Sequence, residues 1–295
     1  MTEKQKGIIA LLLVALAWGI LPIFPRFLNH SFSLYQQLYL RIGAGFFFSL
    51  VFFHKSLRIR RITHIPVKDS ILLILRAISY WMIGAGLMTS SLLITTVSNV
   101  MFIQSLPATV ILGAVLFHEK FTIQKIILIA LSFIGVLLVS VSDVSGLVNW
   151  GMGEVLSLFS IFAFGFSIVS RKWHTDYLSD RELSTYTLFF AFMFTLIASI
   201  VFNEGNIQWN GDMSLIGIIV VSGVIIAGMN FFLNFAYKRV EAIVSGPILS
   251  LETVLAIIFA YFIFHEVPSA KACIGGSIIL LSAMTMQIVE YKKKK

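Results

Sequence analysis

The chain has 295 residues, of which 58% are hydrophobic and 12% are charged. Soluble domains carry about a quarter charged residues, and a soluble protein this apolar would expose patches that aggregate, so the composition indicates an integral membrane protein. The net charge of +8 does not predict nucleic-acid binding, because the basic residues lie in short clusters between apolar runs. The single cysteine, Cys273, excludes a disulfide or a multi-thiolate metal site within the chain.

Apolar windows separated by polar or charged breaks predict ten transmembrane helices of about 17–25 residues each. In chain order they lie at 7–25, 33–53, 70–89, 93–117, 123–142, 153–170, 182–202, 213–236, 243–264 and 270–288. Lys4 and Lys6 precede the first apolar run, as in a signal peptide. No small-residue cleavage site follows, so we expect this run to be a retained first span.

The distribution of Lys and Arg predicts the orientation of these spans. If the N-terminus is cytoplasmic, the opposite side of the membrane keeps only Arg26 and Lys271 among the basic residues of the loops. This bias predicts an even number of crossings in the cytoplasmic membrane, with both termini in the cytoplasm.

An internal repeat divides the spans into two halves. Residues 7–19 align with 153–165, and a Phe-His-Glu triplet closes the apolar run at 117–119 and again at 264–266. Each half, 1–146 and 147–295, contains five predicted spans. Because five is odd, the second half must enter the membrane from the opposite side. The sequence therefore predicts an all-α fold of ten transmembrane helices in two inverted five-helix repeats, as in many transporters.

Several features resemble the EamA-type branch of the drug/metabolite transporter superfamily. They are the small-residue first spans, Pro107 in an apolar run that ends at Glu119, the segment SLETVLAIIFAYFIFHE in the second half, and the Gly275-Gly276 pair. The resemblance covers essentially the whole chain. It implies a central cavity between two inverted repeats and transport of amino acids, metabolites, nucleotide derivatives or drugs, most often outward.

Proline positions bear on the helices that would line this cavity. Pro107 removes a backbone hydrogen bond, so we expect it to kink the fourth span. Many relatives have Leu-Glu-Pro where this chain has Leu251-Glu252-Thr253. The resemblance therefore does not carry over the backbone break that this proline would give.

Glu252 is the main candidate for chemistry, because it lies near the middle of the apolar stretch 245–266. A carboxylate at this depth costs several kcal/mol unless it is paired, protonated or facing water, roughly 3 kcal/mol on insertion scales. It is a candidate for proton coupling or for anchoring a cationic or zwitterionic substrate. The structural alternative is an ion pair with Arg41, which lies at similar depth in the second span.

Arg76 and Arg41 are the other deep charges. Arg76 shares a helical face with Tyr80, where its guanidinium would grip a substrate carboxylate through two hydrogen bonds. The alternative is that Arg76 snorkels to the surface or pairs structurally, and for Arg41 we favour a structural pair. Further candidates for substrate contact, each with helix packing as its alternative, are Trp18, Trp81, Ser98, Asn99, Ser105, Asn230 and Asn234.

These residues predict a secondary active transporter of small metabolites, such as amino acids or related amphipathic compounds, that works as an exporter by alternating access. No nucleotide-binding loop is evident, so ATP hydrolysis is not expected to drive transport. The energy would come from a proton or other ion gradient, from exchange, or from the concentration gradient of the substrate itself. The alternative is an uptake or exchange carrier for a nucleotide- or cofactor-like metabolite. A membrane-embedded enzyme or a channel is less favoured, because we find no nucleophile–base set, and the sequence predicts no cofactor, metal or nucleic acid.

Overall fold

A computed structural model describes residues 1–21, 23–28, 31–58, 64–95, 100, 103–104, 106–118, 122–140, 151–207, 211–264 and 270–292. The regular secondary structure of these residues is helical, and they contain no strand. The α-helices are α1 (Glu3–Ile20), α2 (Ile23–Leu28), α3 (Leu34–Phe53), α4 (Val67–Ala77), α5 (Ala85–Ile94), α6 (Ala108–Phe117), α7 (Ile123–Ser140), α8 (Met152–Val169), α9 (Asp180–Val201), α10 (Met213–Tyr237), α11 (Ala242–Leu249), α12 (Leu251–Phe264) and α13 (Ala270–Lys292). A π-helix, Ile78–Gly84, joins α4 to α5, and 3₁₀ turns follow α3 and α8 (His54–Ser56 and Ser170–Trp173).

Six helical segments of the described chain are long and apolar enough to cross a membrane, so the protein is a multi-pass membrane protein. They are Leu34–Ser56, Val67–Ser91, Met152–Trp173, Asp180–Val201, Met213–Tyr237 and Ala242–Ile263. Three shorter apolar segments, Ala108–Phe117, Ile123–Leu138 and Cys273–Met286, accompany them. The full set of ten spans stays a prediction, since much of the fourth lies outside the described residues.

Small residues bring α1 close to the second half of the chain. The buried face of α1 is rich in glycine and alanine, including Gly7 and Gly19. A Cβ atom added to Gly7 would lie 2.6 Å from Val240 Cγ2, and one added to Gly19 would lie 2.8 Å from Leu255 Cβ. Both distances are shorter than van der Waals contact, so only glycine allows α1 to pack this closely against α10 and α12.

The equivalent glycines of the second repeat make the reciprocal contacts. A Cβ at Gly153 would meet Thr95 Cβ at 2.7 Å and Ile94 Cγ1 at 3.2 Å, while one at Gly165 would lie 3.0 Å from Leu112 Cδ1 and 3.4 Å from Ala108 Cβ. Gly7 and its repeat equivalent Gly153 meet Val240 and Ile94, respectively, while Gly19 and Gly165 meet Leu255 and Ala108. Within each pair, the two contacted residues are separated in sequence by nearly the same interval as the two glycines. The first helix of each repeat therefore packs on corresponding positions of the other repeat, as a two-fold relation between them requires.

Two corresponding helices are interrupted inside the bundle. Pro107 caps the N-terminus of α6, so the predicted kink in the fourth span is a helix start. In the second half the helix breaks at Ser250, between α11 and α12, three residues after Pro247. There the Thr253 N–H donates to the Ser250 carbonyl oxygen at 3.1 Å, a tighter spacing than that of an α-helix. A break is thus present without a proline at 253.

Ion pairs join the halves at the end of the bundle that carries the N-terminus. Arg239 pairs with Glu3 at 2.8 Å and with Asp180 at 2.9 Å, and Asp180 also pairs with buried Arg171 at 2.5 Å. Lys125 pairs with Glu241 at 2.9 Å. At the opposite end, the Glu204 carboxylate accepts from the N–H groups of Tyr35 and Gln36 at 2.8 and 3.0 Å, which caps the start of α3.

Candidate functional site

Glu252 lies in the first turn of α12, directly after the break at Ser250. Its neighbour across the repeat boundary is α1, where a Cβ on Gly19 would lie 3.2 Å from the Glu252 carbonyl oxygen. The residue is partly accessible. Within the described part of the chain, its carboxylate has neither an ion-pair partner nor a hydrogen-bond partner. The first turn of a helix favours a negative charge, but it supplies no counter-ion.

Aromatic side chains surround the approach to this carboxylate. The Tyr80 hydroxyl lies near the Trp18 side chain and interacts electrostatically with Glu252. The Tyr80 ring packs against Trp81, with ring centroids 4.9 Å apart, and against Phe164 at 4.8 Å. The structure therefore brings Trp18, Tyr80 and Trp81 together near Glu252.

One feature of this aromatic group was not predicted. Tyr80 and Trp81 lie on the π-helix, a rare irregularity that is often found at functional sites. Phe164 completes the group, and the internal repeat aligns it with Trp18.

Arg41 does not form the expected ion pair with Glu252. Its Nη2 donates to the Leu21 carbonyl oxygen at 3.5 Å, and its guanidinium lies 5.8 Å from the centroid of the Phe24 ring. The prediction of an Arg41–Glu252 ion pair is therefore wrong for this conformation, because the Arg41 guanidinium points to the C-terminal end of α1.

Arg76 is buried and paired, so the snorkelling alternative is wrong. Its Nε donates to the Ser167 carbonyl oxygen and its Nη2 to the Asn234 amide oxygen, both at 2.7 Å. Asn234 in turn donates to the Asn230 carbonyl oxygen at 2.9 Å, and Asn230 donates to that of Ser184 at 3.2 Å. Asn230 and Asn234 thus belong to a chain of helix contacts that begins at Arg76.

The polar candidates of the fourth span lie largely outside the described residues. Ser98, Asn99 and Ser105 lie outside the described residues, so their contacts stay predictions. Gln104 is described, and it donates to Ser160 Oγ at 2.9 Å and to the Ser157 carbonyl oxygen at 3.2 Å. It joins the fourth span to α8.

A second buried polar cluster lies near the membrane surface, at the start of α4. Asp69 accepts hydrogen bonds from the Thr175 N–H at 3.0 Å and from His174 Nδ1 at 3.2 Å. Burial lowers the pKa of His174, as do the nearby charges of Arg76 and Arg171, while Asp69 opposes them. The imidazole is therefore neutral, with its proton on Nδ1. Nowhere in the described chain do three or more His, Cys, Asp or Glu side chains meet as a metal site would require.

An open groove lies elsewhere on the molecule. A space of about 240 Å³ between α1 and α10 is lined by Leu13, Phe231, Phe232 and Phe235, with Lys6 at its edge. Its walls are apolar and lie on the outside of the bundle, as expected of a surface that faces lipid. The region around Glu252, in contrast, contains an ionisable side chain next to aromatic residues.

Comparison with known proteins bears on what this arrangement does. The sequence model of the EamA-like transporter family matches the chain twice, over residues 5–141 and 151–287. A protein from Synechocystis sp. that is named as an uncharacterized transporter is 28% identical over 265 residues, which cover 83% of this chain and 73% of that protein.

Two further comparisons concern substrate and fold. An S-adenosylmethionine uptake transporter from Rickettsia felis is 30% identical over 207 residues, 68% of this chain and 65% of the relative. A protein of known crystal structure superposes with a TM-score of 0.78 over 99% of both chains at 11% sequence identity, which shows a shared fold.

Proposed function

This chain belongs to the EamA-like transporter family, and on that premise we propose that it is a secondary active transporter of small amphipathic metabolites. It works by alternating access, with its two five-helix repeats inserted in opposite directions and both termini in the cytoplasm. Amino acids and related compounds are the leading substrates, and export is the leading direction. Glu252 is the residue that couples substrate movement to a proton gradient.

The observation that carries this proposal is the position of Glu252. It follows a helix break inside the bundle, and the corresponding helix of the other repeat also begins inside the bundle, at Ala108. Interrupted helices at corresponding positions of two repeats are typical of substrate and ion sites in transporters. Irregular backbone at membrane depth is tolerated where it lines a cavity or is buried in protein.

The chemistry of coupling follows from the lack of a counter-ion to Glu252 among the residues that the structure describes. A carboxylate without a protein cation is costly to enclose in its charged form. It is therefore neutralised either by a proton or by a cationic group of the substrate before the site closes. Because both bind the same oxygens, proton and substrate compete for Glu252, which is the basis of proton-coupled exchange.

The ion pairs of Arg239 and Lys125 suit the role of a gate. They join the two halves at the end that carries the N-terminus, which we place in the cytoplasm. Access from that side requires these contacts to separate. The Glu3 side chain is 62% exposed, so the Arg239–Glu3 pair costs little to break. The Lys125 side chain is only 4% exposed, so its pair with Glu241 costs more to separate.

A second candidate function is uptake or exchange of a cofactor-like metabolite. The S-adenosylmethionine uptake transporters from Rickettsia species favour it, including the relative from Rickettsia conorii, which is 34% identical over 84 residues. S-adenosylmethionine carries both a cationic and an anionic group, so it also suits a lone carboxylate. Counterflow of labelled S-adenosylmethionine against a labelled amino-acid mixture separates the two candidates.

Transport by reconstituted vesicles tests the proposal. We expect wild-type protein to accumulate at least one compound of such a panel when a pH gradient is applied. Glu252→Gln, which cannot change its charge, is expected to retain exchange but to lose accumulation driven by the gradient. The exposed carboxylate variant Asp176→Asn is the control and keeps both activities. Equal accumulation by wild type and Glu252→Gln would contradict a coupling role.

A further inference from the structure

We infer that an anionic phospholipid binds in a groove between α4 and the 3₁₀ turn that follows α8, with its phosphate on Lys68. This goes beyond the proposed function, because it assigns a lipid site that shares no residue with the proposed transport site. The groove has a volume of about 660 Å³ and is lined by Val67, Lys68, Ile71, Leu72 and Trp173. Its walls come from both repeats, so a bound lipid would contact both halves of the protein.

The groove lies at the level of the membrane surface. Val67 begins the membrane-spanning segment Val67–Ser91, and Trp173 ends the segment Met152–Trp173. Tryptophan at the end of a span is typical of the boundary between hydrocarbon and lipid head groups. The Trp173 ring packs against Phe117 and Phe166, with ring centroids 5.5 and 5.9 Å apart. A molecule in this groove therefore has its apolar part beside the hydrocarbon and its polar part at head-group level.

Buried hydrogen bonds hold the two walls of the groove together. The Asp69 carboxylate accepts from the Thr175 N–H at 3.0 Å and from His174 Nδ1 at 3.2 Å, which fixes the start of α4 against the end of the turn. About two turns further along α4, Arg76 Nε donates to the Ser167 carbonyl oxygen of α8 at 2.7 Å. The helices are thus joined at two levels, and the groove is a fixed feature of the folded protein.

The apolar wall of the groove does not by itself select a particular lipid. Val67 and Ile71 are 75% and 51% exposed, and their spacing of four residues places them on one face of α4. Such a face contacts acyl chains wherever it meets the bilayer, and lipid tails are as apolar as the side chains themselves. Any selectivity must therefore come from the charge at the mouth of the groove.

The charge at the mouth of the groove favours an anionic head group. Lys68 is exposed and has no ion-pair or hydrogen-bond partner within the described part of the chain. It ends a segment, residues 54–68, that contains five Lys or Arg and no Asp or Glu. The next residue, Asp69, is fully buried, so its carboxylate does not face the head groups. A basic cluster of this size directly beside a membrane span attracts anionic lipids.

The apolar groove between α1 and α10 lacks this combination. Its edge residue Lys6 is paired with Glu3 at 2.7 Å, and Glu3 also pairs with Arg239 at 2.8 Å. A lipid phosphate at that edge would meet a carboxylate. Lys6 is therefore a matched control for Lys68, because it is a lysine at the edge of an apolar groove that already has a protein partner.

Native mass spectrometry of the purified full-length protein in detergent tests the assignment. The probes are dioleoyl phosphatidylglycerol, which is anionic, and dioleoyl phosphatidylcholine, which has the same chains and no net charge. We expect the first lipid bound by wild type to be phosphatidylglycerol, with an affinity at least about fivefold higher than that for phosphatidylcholine, the effect of roughly one lysine at a membrane surface. Lys68→Gln is expected to lose most of this preference, whereas Lys6→Gln keeps it.

Ile71→Trp tests the groove independently of charge. The larger side chain fills the space beside Trp173, so we expect loss of the tightly bound phosphatidylglycerol although Lys68 is retained. Because Ile71 is half exposed, this substitution does not disturb the buried core. Binding of phosphatidylglycerol by Ile71→Trp as tight as by wild type would overturn the assignment to this groove.

Three other results would also overturn the inference. They are the absence of any preference for phosphatidylglycerol in wild type, retention of the preference by Lys68→Gln, and an equal loss in Lys6→Gln, which would indicate general attraction by the basic surface. A protein dimer that Ile71→Trp abolishes, in place of lipid adducts, would assign the groove to a second copy of the chain instead. Gradient-driven transport depends on Glu252 and is measured separately, so each of these results leaves the proposed function intact.

Discussion

Charged side chains inside this bundle differ in how completely the protein satisfies them. Arg76 has two short hydrogen bonds and a buried position, so it serves the contact between α4, α8 and α10. Glu252 and Arg41 have little or no compensation from the described protein. Since unpaired charges in a membrane are expensive, the second group is where substrate chemistry is expected.

The buried His174 gives a prediction for stability against pH. Its pKa is lowered in the folded protein by burial and by Arg76 and Arg171, whereas in the unfolded chain it returns to about 6.5. Below that value the unfolded state binds a proton that the folded state does not. The free energy of unfolding is therefore expected to fall by about 1–2 kcal/mol between pH 6.5 and pH 5.

Chemical unfolding in detergent as a function of pH measures this effect. His174→Gln is expected to flatten the dependence between pH 6.5 and pH 5. The exposed His54→Gln is the matched control and keeps the wild-type slope. A His174→Gln variant with an unchanged slope would show that another group carries the dependence.

At the scale of helices, the contact between α1 and α12 determines where Glu252 lies. Gly19→Ala would place a methyl group 2.8 Å from Leu255 Cβ and 3.2 Å from the Ala256 backbone nitrogen. The helices must separate to accommodate it. We expect a loss of about 1–3 kcal/mol in the free energy of unfolding, together with reduced transport.

Gly217→Ala is the control for this substitution, because nothing lies within 4 Å of its added Cβ on α10. It removes the flexibility of glycine from a helix interior and is expected to stabilise by about 0.5–1 kcal/mol. Denaturation of the two variants in the same detergent compares them. Equal stability of Gly19→Ala and Gly217→Ala would show that the close packing of α1 on α12 is not required.

Periodicity and composition predicted the apolar helices, and the repeat predicted that residues 7–19 and 153–165 occupy equivalent places, as their reciprocal contacts show. They could not predict the π-helix at Tyr80, because irregular helices keep the same apolar composition. The break at Ser250 was not predicted, because position 253 carries threonine and Pro247 lies inside α11, three residues before the break.

Pairings between distant residues were the least accessible to sequence reasoning. Depth along a span is known only to within about a turn when boundaries are read from hydropathy. That uncertainty made an Arg41–Glu252 pair plausible, although Arg41 turns toward Leu21. The Asp69–His174 contact joins residues 105 positions apart, and no local pattern marks it.

At the scale of the whole molecule, the account requires two related repeats that enclose a water-accessible path at their interface. Glu252 and the break at Ser250 lie where α1 of the first repeat meets α12 of the second, and the helix start at Ala108 lies where α6 of the first repeat meets Gly165 of α8 in the second. In the proposed transport cycle, the ion pairs at the N-terminal end close one side of this path, and Glu252 contacts water from one side of the membrane at a time.

The rate at which a cysteine at position 252 reacts with a membrane-impermeant cationic thiol reagent tests this claim most directly. The exposed Cys273 is first replaced by Ser, which leaves no other cysteine in the chain. Ile258→Cys, on the same helix at a position 43% exposed on the lipid-facing surface, is the matched control. Thiols react with such reagents as thiolates, which require water.

We predict that Glu252→Cys reacts at least about tenfold faster than Ile258→Cys. Reaction at position 252 no faster than at 258, from either side of the membrane, would contradict a water-accessible path between the repeats.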